Sequence, residues 1–219
     1  QAGTSLMAMS APMVAFAGYS TKVAMDFEQG MAQVSAISGA TGKDLEKLSG
    51  KAKELGATTS KSATESAKAM GYQALAGWNV QQILEGTEPI LRLSEATNLD
   101  LARASDLTTD SMSAMGIETK NLGRYLDIVA QAQRSSNTTA GDLMEAYIGV
   151  GGTLKNLNVP LEESSAWLGV LANRGIKGSE AGNALSSVLI NLTSGLGQAG
   201  TAMQELGINA YDSEGKFKG

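Results

Sequence analysis

The stretch Ala172-Asn-Arg-Gly-Ile-Lys-Gly-Ser-Glu-Ala-Gly-Asn-Ala-Leu-Ser-Ser-Val-Leu-Ile-Asn-Leu192 predicts a tight turn between two helices. Its first residues end one helix, two glycines favour the turn, and Ser179 is placed to cap the next helix. Gly182 lies one turn before Ser186, so another helix could pack closely against that small-residue face. Whether the exposed side of this hairpin also binds a partner stays open at this point. The residues that we expect to shape the hairpin are Gly175, Gly178, Ser179, Gly182 and Ser186.

Further helix starts are recognisable along the chain, about one every 20 residues. Ser62 and Glu65 have the spacing of a capping box, in which each side chain accepts a hydrogen bond from the other residue's backbone N–H. Asn79 repeats this arrangement with the amide of Gln82, and Pro160 suits the first position of a helix. The predicted caps are Ser62, Glu65, Asn79, Thr139 and Pro160, and further start signals lie near Asp44, Asn98, Thr119 and Gln198.

Apolar residues recur at helical spacing after each of these starts. The predicted helices run from Asp44 to Gly56, from Ser62 onward, from Asn79 to about Thr97, and over 99–115, 120–135, 140–156, 160–174, 179–194 and 198–206. Pro89 should kink or split its helix. Glycines that should end helices are Gly56, Gly116 and Gly207. The predicted fold class is all-α, an array of roughly nine to ten short-to-medium helices joined by Gly-capped turns, as an irregular helical bundle or superhelix.

Composition limits the kind of core and the kind of chemistry. Aromatic residues make up only 5% of the chain, and there are 26 glycines. We therefore expect closely spaced helix contacts that bury little area each, and modest stability. The net charge of −5 argues against direct nucleic-acid binding. With no Cys and no His, the chain lacks thiol nucleophiles, imidazole bases and the commonest metal ligands, so we predict no enzyme activity, no cofactor and no metal site.

The predicted organisation has three parts. Residues 1–38 form an N-terminal helix, and its seam of Phe16, Ser20, Val23, Phe27, Gly30, Val34 and Ile37 follows heptad spacing. This seam is either the buried face of an ordinary helix or the end of an upstream coiled coil. Residues 39–208 form a helical core module, and residues 209–219 form a C-terminal turn segment that leads to further chain. The apolar run from Leu6 to Gly18 is too short to span a bilayer.

Five stretches of this chain resemble, in the same order, the core region of the phage tail tape measure protein family, which also occurs in prophage and tailocin tails. The similarity covers residues 22–212 or thereabouts, and the Ala172–Leu192 hairpin is its most recognisable part. The stretches are Phe27–Ile37, Lys53–Thr59, Glu65–Met70, Ala102–Gly116 and Ala172–Leu192. The dipeptide Val159-Pro160 departs from the small polar cap that the resemblance would lead us to expect.

The resemblance implies a structural virion protein that sets tail length, around which tail-tube subunits assemble, and that is ejected during genome delivery. It implies a location in the tail lumen or tip, and in the bacterial cytoplasm during assembly. Implied partners are further copies of itself, with a trimer as one candidate, tail-tube and tail-tip or baseplate proteins, and tail assembly chaperones. Membrane contact is expected only during ejection. The alternative is a cytosolic helical scaffold or adaptor that presents a binding surface.

Overall fold

Helix-forming runs alternate with capped turns to give ten α-helices within residues 21–218, the part of the chain that the computed structural model describes. The first, α1, occupies residues 21–38 of this part. The others are α2 (Gly42–Thr58), α3 (Ala63–Leu75), α4 (Val80–Thr97), α5 (Leu101–Met115), α6 (Leu122–Ser135), α7 (Ala140–Asn156), α8 (Leu161–Asn173), α9 (Gly178–Ser194) and α10 (Gly197–Glu205), with a 3-10 turn at Thr119–Asn121. The all-α prediction is confirmed.

Three of the predicted N-terminal caps are present. The Ser62 side chain accepts from the Glu65 backbone N–H, and the Glu65 carboxylate accepts from the Ser62 N–H. Asn79 and Gln82 exchange the same two bonds at 2.9 and 3.0 Å. Thr139 forms a third capping box with its partner three residues later. Since each bond satisfies an otherwise unpaired backbone donor, these helix starts are set by local sequence.

Three other predicted starts are wrong by one or two residues. Ser179 is not the cap of α9, because the helix begins at Gly178 and the N-cap residue, Lys177, makes no side-chain cap bond. Asn98 is not the cap of α5, since the Asp100 carboxylate accepts from the Arg103 N–H instead. Pro160 is the N-cap of α8 and precedes the first helical residue.

Two of the three glycines that were predicted to end helices do so. Gly116 adopts the left-handed conformation with φ +66°, and the N–H of Ile117 donates back to the Met112 carbonyl at 2.8 Å. Gly207 closes α10 in the same way, with φ +67°. Gly56 does not end α2, which continues to Thr58. A Cβ at Gly56 would lie 2.5 Å from the backbone nitrogen of Ala63, so this glycine serves a close approach of α3.

The chain divides into two units, Gln1–Thr87 and Glu88–Gly219, and the division falls inside α4. The predicted boundary at residues 38 and 39 does not match this division, because α1 packs with α2 and α3 in the first unit. Pro89 does not split α4 into two helices. The first unit is built on an apolar cluster whose members are Phe27, Met31, Val34, Ala40, Leu48, Ala52, Ala67, Met70, Ala74 and Ile83.

The described part of the α1 seam belongs to this intramolecular cluster. Phe27 and Val34 are buried in it, and Ile37 packs at its edge, whereas Val23 is exposed. Phe16 and Ser20 lie outside the described residues. From Phe27 onward the seam is therefore the buried face of an ordinary helix.

In the second unit α7 is the central element, because it packs against both α5 and α9, while α6 packs against α8. Residues 208–218 form a non-helical segment after α10. Tyr211 and Phe217 form an isolated antiparallel bridge there, and their rings meet edge to face at 6.3 Å. The Asp212 carboxylate closes the turn by accepting from the backbone N–H groups of Glu214 and Lys216.

No helix within residues 21–218 combines the length and the apolar character that crossing a membrane requires.

Candidate interaction surface

The predicted hairpin turn between α8 and α9 is present and is held by hydrogen bonds to the turn between α6 and α7. Gly175 has φ +92°, and the Ile176 N–H donates back to the Leu171 carbonyl at 3.0 Å. The side chain of Asn173 accepts from the Asn137 backbone N–H at 2.8 Å, and Lys177 donates to the Asn137 side chain. These bonds hold the start of α9 against the turn between α6 and α7.

Carboxylates from α7 surround the first residue of α9. A Cβ at Gly178, where φ is +56°, would lie 3.2 Å from a Glu145 carboxylate oxygen and 3.8 Å from one of Asp142. Negative charge is favourable at a helix N-terminus, so these carboxylates stabilise the start of α9 electrostatically. Glu145 also pairs with Arg103 of α5 at 2.7 Å, and Arg103 pairs with Asp106 at 2.9 Å.

The small-residue face of α9 packs closely against another helix, as the sequence predicts, but that helix is α7 and not the hairpin partner α8. A Cβ at Gly182 would lie 2.3 Å from the Ala146 carbonyl oxygen, so a larger residue would push the two backbones apart. Ser186 and Thr153 share a hydrogen bond of 2.9 Å between their hydroxyl oxygens. The sequence did not identify which helix makes this contact.

A set of buried hydroxyl groups on α5, α6, α7 and α8 forms hydrogen bonds that the sequence did not predict. The hydroxyls of Tyr125 and Ser111 are 2.6 Å apart, and Tyr147 hydrogen bonds to the Leu161 carbonyl and to Ser164. The two tyrosine rings lie 6.1 Å apart. Burial raises the pKa of Tyr147 to about 12, and raises that of Tyr125 further still above its ordinary value. Both hydroxyls therefore stay protonated at physiological pH.

The outer side of α9 contrasts with its inner side because it carries large apolar residues that are exposed. With α8, α10 and the C-terminal segment it borders a groove of about 470 Å³. We call this the α9–α10 groove, and the lining residues used below are Trp167, Val188, Leu192, Met203, Ile208 and Phe217. The groove was also missed, although one sequence signal could have indicated it: residues 181–204 contain no Asp, Glu, Lys or Arg.

The charged side chains of residues 21–218 include several exposed ion pairs. The acidic residues of the 21–218 region do not gather in threes in a way that could hold a metal ion. The exposed ion pair of Arg124 with Glu162 joins α6 to α8. The Arg124 guanidinium donates to Glu162 and lowers the pKa of that carboxyl, so it stays ionised. The apolar α9–α10 groove is open to a partner.

Comparison with known proteins agrees with the sequence resemblance. The family described as phage-related minor tail protein matches residues 49–219. The tape measure protein of Pneumococcus phage Dp-1 is 35% identical over 210 residues, covering 96% of this chain and 18% of that protein. The probable tape measure protein of Escherichia phage P2 is 27% identical over 195 residues, covering 88% of this chain and 24% of that protein. No solved structure matches.

The chain thus spans less than a quarter of the length of either relative. The matched stretch includes all the helices of the second unit, with the hairpin and the α9–α10 groove. On the family match and the identity to the Dp-1 protein, this chain belongs to the phage tail tape measure protein family, as a structural segment of a phage tail protein.

Proposed function

We propose that this segment is a folded, partner-contacting module of a tape measure protein, and that the part that sets tail length lies elsewhere in the polypeptide. The observation that carries the proposal is the return of the chain upon itself. Thr153 and Ser186 are 33 residues apart in sequence but 2.9 Å apart in space. Arg124 and Glu162 are 38 residues apart and form an ion pair of 2.6 Å. In one straight helix these pairs would be separated by about 50 and 57 Å.

A ruler made of continuous helix gains about 1.5 Å for each residue, so 219 residues would extend roughly 330 Å. A segment whose helices fold back on one another does not lengthen in this way when residues are added. Its contribution to the tail comes instead from the surfaces that the folded helices present. This supports a role in contacts with other tail components.

The module would act in the lumen or at the tip of the tail, after assembly in the bacterial cytoplasm. Its partners would be further copies of the same protein, tail-tube subunits, tail-tip or baseplate proteins and assembly chaperones. The whole polypeptide would set tail length, organise the tube that polymerises around it, and leave during genome delivery. The exposed apolar groove supports protein contacts, and the net charge of −5 argues against binding DNA directly.

Ejection through a narrow tube adds a requirement on stability, because a folded module must open at low cost. The close contact at Gly182 buries little apolar area, and buried hydroxyls take the place of apolar side chains around Tyr125. We expect a modest unfolding temperature for the isolated segment. Calorimetry would contradict this if the midpoint lay above about 90 °C, in the hyperstable range.

The proposal is tested in the phage by electron microscopy, scoring tail presence and tail length together. Deletion of residues 88–212 in frame should abolish or misdirect tail assembly. A length-neutral variant, Gly182→Val, should have the same effect, because it breaks the α7–α9 contact without changing the number of residues. The matched control is Gly152→Ala on α7, where an added Cβ meets no atom within 4 Å.

The opposite result would identify the segment as a ruler. In that case the deletion would give complete tails shortened by about 1.5 Å for each residue removed. Gly182→Val would then leave tail length and tail number unchanged.

A further inference from the structure

The helices of the second unit recur at a nearly constant interval. α5, α7 and α9 begin at residues 101, 140 and 178, which are 39 and 38 residues apart. α6 and α8 begin at residues 122 and 161, again 39 residues apart. Since α7 packs against both α5 and α9, these three helices form one stack. The second unit is therefore a series of two-helix repeats, in which each repeat contacts its neighbours along the chain.

Burial follows the same helix positions in the three stacked helices. Counted from the first residue of each helix, positions 1, 4, 5, 8 and 12 are buried in α5, α7 and α9 alike. Positions 7, 11 and 15 are buried in α5 and in α7 but not in α9. α7 and α9 carry the same residue types at these three positions, which are Ala146, Val150 and Leu154 in α7, and Ala184, Val188 and Leu192 in α9.

The difference in burial between these matched residues is large. Val150 is 0% exposed and Val188 is 52% exposed, while Leu154 is 3% exposed and Leu192 is 39% exposed. Because the residue types are identical, the difference comes from what lies over them. α7 is covered by the next helix of the stack, α9. α9 has its hairpin partner, α10, but no helix follows α10 within residues 21–218.

The repeat also defines what fits on this side of α9. A helix related to α9 as α9 is to α7 would cover Ala184, Val188 and Leu192. It would bring a small residue opposite Ala184, as Gly182 of α9 lies against Ala146 of α7. The terminal repeats of helical stacks have a polar outer face, whereas the outer face of α9 is apolar. α9 therefore has the character of an internal repeat.

The course of the chain indicates where such a helix would come from. Val188 and Leu192 line the α9–α10 groove together with Trp167, Met203 and Ile208. Phe217 and Lys218 line it too, so the polypeptide runs beside the uncovered residues after its β-bridge. The stack is built from consecutive parts of one chain, and the matched stretch makes up only 18% and 24% of the two relatives.

We propose that a further two-helix repeat of the same polypeptide stacks on α9 and covers Ala184, Val188 and Leu192. The α9–α10 groove is then a contact between successive repeats of one protein. This inference goes beyond the proposed function and does not depend on it, because the proposed function is carried by the return of the chain upon itself within residues 124–186.

The test is the rate of thiol labelling at single introduced cysteines, read for each position by peptide mass spectrometry. The 219-residue chain contains no cysteine of its own. Val188→Cys and Leu192→Cys are compared in this chain and in the complete polypeptide, purified without other tail proteins. Both positions should label at least about tenfold more slowly in the complete polypeptide, because labelling then requires the stack to open.

Val170→Cys is the matched control. Val170 is the same residue type as Val188, is 61% exposed on α8 and does not line the groove. It should label at the same rate in both proteins. Circular dichroism checks that each variant is folded, and Leu192→Cys keeps the test decisive if Val188→Cys does not fold.

Slow labelling that is independent of protein concentration supports the proposal. Equal rates at Val188→Cys and Leu192→Cys in the two proteins would overturn it. Protection that appears only as the concentration rises would assign the groove to a second copy, and protection only in assembled tails would assign it to another protein; either result also overturns the proposal. None of these outcomes affects the proposed function, which the Gly182→Val variant tests separately.

Discussion

The two sides of α9 differ in how closely another helix approaches, in hydrogen bonding and in burial. On the inner side, Gly182 lets the backbone of α7 approach and Ser186 hydrogen bonds across the contact, and the buried Leu189 lies at the border with the α9–α10 groove, which it also lines. On the outer side, Val188 and Ile190 are about half exposed and no charged residue lies near them in sequence. One helix therefore presents a side that holds the fold together and a side that is available to a partner.

This contrast shows that an uncharged helix need not be buried on all sides. Burial of the inner side is enforced by backbone proximity, which no rotation of side chains can relieve. The outer side keeps its apolar residues without such a constraint. Substitutions on the inner side should consequently change stability, whereas those on the outer side should change association.

The largest single loss of stability is expected within a pair of neighbouring residues. Leu189→Ala should lower the free energy of unfolding by about 3 kcal/mol, because it removes a buried side chain and leaves a cavity. Ile190→Ala, on the exposed side, should change it by less than about 0.5 kcal/mol. Urea unfolding followed by circular dichroism, at a concentration too low for association, measures both. Equal losses in the two variants would remove the distinction between the sides.

A glycine pair sharpens the same contrast at the backbone. Gly182→Ala should lower the free energy of unfolding by about 2 to 3 kcal/mol, since the new Cβ would meet the Ala146 carbonyl and its backbone carbons. Gly152→Ala on the same contacting helix, α7, should raise it by up to about 1 kcal/mol, because alanine favours helix and space is free. If Gly182→Ala were neutral in urea unfolding, the α7–α9 approach would be looser than described.

The buried hydroxyl groups predict a response to alkaline pH. Because the pKa values of Tyr125 and Tyr147 are raised in the folded chain, the unfolded chain loses these protons first once the pH exceeds about 10. Stability should be insensitive to these groups below that pH and should fall above it. Tyr125→Phe should cost about 1 kcal/mol at neutral pH through the lost bond to Ser111, and it should reduce the alkaline loss.

Thermal melts between pH 8 and pH 11.5 test this prediction. The double variant Tyr125→Phe with Tyr147→Phe is the matched comparison, because it lacks both buried hydroxyls. An alkaline loss of the same size in the double variant would assign the effect to other groups.

The smallest expected difference compares how α7 and α9 begin. Thr139→Ala should cost about 1 kcal/mol, because Thr139 accepts from the Asp142 N–H at 3.0 Å. Ser179→Ala should cost less than about 0.5 kcal/mol, because α9 begins before Ser179 and that residue is exposed. Chemical denaturation of both variants measures these losses in the free energy of unfolding. A larger loss for Ser179→Ala than for Thr139→Ala would show that Ser179 does cap α9.

Features set by neighbours in sequence were predictable, and features set by distant residues were not. The reciprocal caps at Ser62 and Asn79 involve residues three positions apart, so their spacing alone predicts them. The start of α9 lies beside Glu145, a residue of α7, and the sequence around Ser179 does not indicate that contact. Gly182 was recognised as a close-approach position, but the helix that approaches could not be identified from the sequence.

The interaction surface follows the same pattern. The charge-free run at residues 181–204 is visible in the sequence, and it indicates that no charge is needed on either side of α9. Which residues of the run face solvent depends on how α9 packs on α7. The hydrogen bond between Ser111 and Tyr125 likewise joins α5 to α6, and no local sequence pattern predicts it.

The central claim is that the chain doubles back in the assembled tail, and an engineered disulfide tests it directly. The chain contains no cysteine, so Thr153→Cys with Ser186→Cys would introduce the only possible pair within it. The two native oxygens are 2.9 Å apart, and the account predicts nearly complete intramolecular disulfide formation in purified phage tails, without bands of higher mass on a non-reducing gel. Two free thiols in intact tails under the same oxidising conditions would show an extended chain and contradict the account.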